Sequence, residues 1–183
     1  MALTATDSAA GAAARGILGR IGQALFGTPV GAGVVAAIFP TQMGNGELTE
    51  EDHILSDAYS ASMSRAETQA KNLRNKNPVA VIGEGQEDRV IPYARAVNSI
   101  SFSISERYKY ESAYMQGFDD AFKERISVTF NKGWIYGVMN AGLEIHDIGA
   151  HPARGGIPTS PWYLAEREAI AIREYPTYRV KFK

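Results

Sequence analysis

Two acidic residues in the C-terminal third are placed where a carboxylate can do chemistry. Asp147 lies next to the end of the alternating segment LEIHDI (143–148), two residues before Gly149. An acid that interrupts an apolar strand near its end can point into the crevice beyond that end. Glu166 follows the Ser160-Pro161 helix start by less than two turns, and Tyr163 lies one turn before it. Tyr163 and Glu166 can therefore touch the same ligand, and Asp147 with Glu166 forms a candidate catalytic pair. Two carboxylates facing one crevice can act as nucleophile or base and partner, with their surroundings setting the pKa of each. Arg154, in the loop HPARGG, adds a cation suited to phosphate or carboxylate.

A second set of candidates surrounds the first apolar run. Val79–Ile82 is followed by Gly83-Glu84-Gly85, a turn of the kind that opens phosphate-binding loops. Asp88 stands where a full G-x-G-x-x-G pattern needs glycine, so the motif is incomplete. Gly83, Glu84, Arg89, Tyr93 and Ser160 are the candidate substrate-binding residues. His146 and His151 flank the end of 143–148 and are expected to face different directions. With only His53 elsewhere, they do not make a metal site, and no metal or certain cofactor is expected.

The elements that must position these residues can be read from patterning. Thr49 ahead of Glu50, Glu51 and Asp52 marks a helix start, and the following apolar stripe predicts a helix to about residue 74. Val79–Ile82 reads as a buried strand, 87–97 as a helix, and SISFSIS (99–105) as an alternating strand. Pro92 in that helix fits only near a first turn. The stretch 110–139 is helical, with a break expected around 126–130 and Gly133. After the strand 143–148 and the Gly/Pro loop 149–159, Ser160 caps a helix that is expected to run to about 174. Strand and helix alternate. That order predicts a small Rossmann-like α/β fold, with a partly parallel sheet, flanking helices and a helical or linker leader.

Composition narrows the function. The chain has 183 residues, no cysteine, and 19 basic against 20 acidic residues. No disulfide framework or Cys-ligated metal is possible. From 79 to 183 basic and acidic residues balance, whereas nucleic-acid binders carry a basic excess. A small nucleotide is favoured as substrate over a nucleic acid. Residues 1–46 are Gly/Ala-rich; 47–78 read as a connecting helix and 79–183 as the α/β domain. Residues 17–39 are apolar but interrupted by Arg20 and Pro29, which suits either a translocation segment or a flexible linker better than a plain membrane span.

Three segments, VIGEGQEDRVIPYA (81–94), NKGWIYGVMNAGLEIHDIG (131–149) and the spaced SPWYLAE…YPTYRVKF up to Phe182, resemble the C-terminal tips of bacterial polymorphic toxins of the Rhs, PAAR and wall-associated kinds. D-I-G and S-P-x-Y-x-x-E are the most distinctive parts. His151 and Pro152 follow D-I-G-A where many such tips carry another acid. The leader is similar to linkers of pyocin-like and type VI effector proteins. The resemblance implies a secreted interbacterial toxin delivered into a target cell. It also implies a cognate immunity protein and a delivery machinery or chaperone that engages the leader. The residues leave three activities open: N-glycosidic cleavage of NAD or another nucleotide, nuclease action, and membrane activity without catalysis.

Overall fold

The structure, a computed structural model, describes residues 49–73, 77–102, 115 and 117–181. The expected leader 1–46, the apolar stretch 17–39, the loop 40–48 and residues 103–114 lie outside the described residues. Among the described residues, no helix is long and apolar enough to cross a membrane.

Helix α1 (Glu50–Asn72) begins at Thr49, whose hydroxyl accepts the Asp52 N–H while Asp52 accepts the Thr49 N–H. This reciprocal cap satisfies two N–H groups that a helix start leaves unpaired, and the three first-turn acids suit the positive end of the helix. Ile54, Leu55, Ala58, Ala66 and Ala70 carry α1 into the main core. The helix is thus packed against the same core as the segment after residue 79.

Its partner is a single long helix. We number the elements after α1 in chain order: strand β1 (Val79–Ile82), helix α2 (Ile91–Ala96), strand β2 (Ile100–Ser101) and helix α3 (Asp120–Asn140). No break occurs at 126–130 or at Gly133. β-Branched residues suggested one, but Ile126 and Phe130 are held by burial, and tertiary packing overrides local propensity. Gly133 and Gly137 face α1, where a Cβ would collide with the carbonyl oxygens of Tyr59 and Met63. These glycines let two backbones touch, and the Ser62 hydroxyl donates to the Phe130 carbonyl at 2.7 Å across the contact.

Three further elements complete the fold: strand β3 (Glu144–Asp147), helix α4 (Pro161–Ile172) and strand β4 (Tyr178–Val180). The sheet order is β2-β1-β3-β4, and every neighbouring pair is parallel. The small Rossmann-like α/β fold read from the sequence is present, with a sheet more fully parallel than expected. Strand β4 was not foreseen. The expected strand 99–105 is reduced to Ile100–Ser101, both buried, with 103–105 outside the described residues. Main-core residues include Ala80, Ile82 and Ile145 on the α1/α3/α4 side of the sheet. Val81 and Ile148 pack with Val90 and Ala94 in a smaller core beneath α2. A π-helical turn, Gln86–Val90, precedes α2 and leaves Pro92 in the first turn, where its missing N–H is tolerated.

Candidate functional site

Asp147 is the last residue of β3 and pairs with Ile82 on one side and Val180 on the other. Alternation turns Ile145 and Asp147 towards one face and Glu144 and His146 towards the other. The Asp147 side chain is 2% exposed. Its Oδ1 accepts the Gly149 N–H at 2.8 Å and the Tyr163 hydroxyl at 2.7 Å. Its Oδ2 accepts the Tyr178 hydroxyl, and the Arg167 Nε stands 3.8 Å away. Burial followed by the hydrogen bond to Asp147 pushes Tyr178 up to about 12 and places Tyr163 above the ordinary phenol range. Both phenols therefore stay protonated at neutral pH and remain donors to the carboxylate.

Asp147, Tyr163, Arg167 and Val180 form one wall of a cavity of about 320 Å³ at the carboxyl ends of the strands. Residues of the loop after β3 and Arg89 form the other wall. This is where ligands bind in open parallel sheets, and the volume is at the small end of ligand sites. A more open groove of about 450 Å³, lined by Leu55, Val128 and Lys132 among others, runs along α1 and α3 instead.

Glu84 holds the loop and is 2% exposed. Its Oε1 accepts the N–H groups of Thr159 and Ser160, each at 2.6 Å, and its Oε2 accepts that of His151 at 3.0 Å. Burial works against its charge, but these backbone donors outweigh it and bring the carboxyl below its usual range. Arg89 donates to four carbonyls: Ile148 at 2.6 Å, Ala150 at 2.8 Å, Glu84 at 3.1 Å and Gly149 at 3.4 Å. Both are candidate substrate-binding residues, and in the structure their hydrogen-bonding groups fix the chain. Gly83 likewise serves close packing, since a Cβ there would lie 2.6 Å from Ile148 Cγ1. Ser160 caps α4 through its hydroxyl and spends its N–H on Glu84.

The remaining candidates are dispersed. Glu166 is 3% exposed on the inner side of α4 and is not among the residues that line the Asp147 cavity. Arg154 is exposed and reaches Thr159 Oγ1 at 3.4 Å. Tyr93 lies beneath the opposite face, with its hydroxyl 3.2 Å from His146 Nδ1. The other nitrogen of His146 is 2.7 Å from Glu144. A carboxylate only accepts, so Nε2 donates to Glu144. His151 is engaged elsewhere, with Nε2 2.8 Å from Asp88. Among the described residues no three His, Asp or Glu side chains are grouped to hold a metal.

Sequence reasoning missed Arg167 and Tyr178. Arg167 was within reach of it, because it stands four residues after Tyr163 and shares its helix face; its guanidinium lies 5.7 Å from the Tyr163 ring centroid. Tyr178 required strand β4 to be recognised. Neither protein-family models nor curated proteins nor solved structures give a match. The site's own geometry is the basis for a function.

Proposed function

We propose that this chain is an interbacterial toxin whose α/β domain hydrolyses the N-glycosidic bond of a nucleotide such as NAD. The observation that carries the reaction is a carboxylate, Asp147, walling a cavity at the carboxyl edge of a parallel sheet. Glycosidic cleavage passes through an oxocarbenium-like centre that a fixed negative charge stabilises. Gly149, Tyr163 and Tyr178 occupy much of the accepting capacity of Asp147. We therefore give it the task of stabilising that cation rather than attacking it. The C1′–N bond breaks with its electron pair leaving on the base, and water adds to C1′ and releases a proton. Glu166 has no direct part in this reading, because it does not line the cavity.

The toxin role rests on the resemblance of the D-I-G and S-P-x-Y-x-x-E segments, and it assigns residues 1–46 to delivery. It also supplies a cognate immunity protein, which would cover the loop 149–159 at the cavity rim. The purified chain incubated with NAD should release nicotinamide and ADP-ribose, resolved by chromatography. Asp147→Asn should lower the rate at least about a hundredfold. Full activity in a folded Asp147→Asn protein, or intact NAD and nucleotides throughout, refutes the reading.

A further inference from the structure

Three charged side chains line the cavity: Asp147, Arg89 and Arg167. Their donors and acceptors are not equally committed. Arg89 is spent on four backbone carbonyls. Asp147 is covered by a backbone N–H and two phenols. Arg167 differs. Its Nε stops 3.8 Å from Asp147, its plane lies near the Tyr163 ring, and its side chain is 47% exposed. The Tyr178 hydroxyl engages part of the guanidinium, and with five N–H donors the fork keeps others for a ligand.

A guanidinium has five N–H donors in a rigid fork that matches two oxygens of a phosphate or carboxylate. Two cations against one carboxylate also leave the cavity with a positive balance. We propose that Arg167 is an oxyanion-binding residue of the Asp147 cavity, so that the ligand is an anionic molecule, such as a nucleoside phosphate, in preference to its neutral counterpart. The ring of Tyr163 and the carboxylate of Asp147 hold the fork in place, which lowers the entropy lost when the oxyanion arrives. This inference rests on the cavity being the substrate site but not on the reaction carried out there.

The test uses matched pairs that differ in one anionic group. Binding of AMP and adenosine, and of nicotinate and nicotinamide, is measured by titration calorimetry on the full chain. In each pair that binds, the anion should bind about ten- to a hundredfold more tightly, the range for a charge-assisted hydrogen bond. Arg167→Ala should abolish that margin, and Arg167→Lys should keep only part of it, because an ammonium is a point charge without the fork. A margin in the AMP pair identifies phosphate, and one in the nicotinate pair identifies carboxylate. If Arg167→Ala does not fold, the reduced margin of Arg167→Lys decides the matter. Equal binding within both pairs, no binding of either anion, or an unchanged margin in the folded variants overturns the proposal. Arg167-dependent anion binding without glycosidic cleavage sustains this inference while refuting the activity proposed above.

Discussion

Replacing Glu84 with glutamine changes one oxygen into an NH₂ group and removes the charge. Three backbone N–H groups converge on this carboxylate, two on Oε1 and one on Oε2. The amide oxygen can take the Oε1 position and keep the Thr159 and Ser160 bonds, now neutral instead of charge-assisted. Each such downgrade costs about 1 kcal/mol. The NH₂ group then faces the His151 N–H, donor to donor, and leaving that group unpaired costs about 1–3 kcal/mol. Glu84→Gln should thus lose about 3–5 kcal/mol of stability at pH 7, a fall in Tm on the order of 10 °C. Burial raises the tendency of Glu84 to hold a proton, but the three donors more than reverse it, so its folded value lies below the ordinary 4.5. The stabilisation is accordingly complete above about pH 4.5 and is lost as pH falls through the lower folded value. Urea denaturation of both proteins from pH 7 to pH 3 should show the difference shrinking at the acid end. Amide exchange should speed up at His151, Thr159 and Ser160 first. A Glu84→Gln protein within about 0.5 kcal/mol of the parent at pH 7, with those amides still protected, would show that the carboxylate does not hold the loop.

Other outcomes follow from the same geometry. Gly133→Ala and Gly137→Ala should each cost about 3 kcal/mol or prevent folding, because the added methyl meets backbone of α1; thermal melts check this. A fragment starting at residue 79 lacks α1, so it should bind a hydrophobic dye and melt without cooperativity. Tyr178 is raised above its unfolded value of 10 to about 12, so its bond to Asp147 stabilises the fold below pH 10 and is lost as pH rises towards 12. Tyr178→Phe should therefore be less stable at pH 8 and lose less stability between pH 10 and 12, as circular dichroism can follow.

The parts legible in the sequence were those whose causes are local. The Thr49 and Ser160 caps, the run Val79–Ile82 and the alternation ending at Asp147 all appear where patterning put them. Helix α4 ends at Ile172, two residues short of the expected 174. What could not be read depends on a distant partner. Strand β4 has only three residues and is largely exposed, so it shows neither a buried run nor a clear alternation; its pairing with β3 defines it. Gly133 looks like a helix breaker until the backbone of α1 is placed beside it. Glu84 and Arg89 carry the charges of a binding site, and only the positions of 148–151 and 159–160 reveal that their hydrogen bonds go to the backbone.

The attachment of residues 151 and 159 to one carboxylate has an evolutionary consequence. Both feet of the intervening tip are fixed independently of what the tip contains, and residues 152–157 are exposed. Doubling the length of a flexible tip costs only about 0.6 kcal/mol in closure entropy. Residues there can be exchanged, inserted or deleted while the ends of β1 and β3 keep their spacing. Apart from Pro152 and Gly156, which line the cavity, the tip is therefore a replaceable cassette on a sheet that must change slowly.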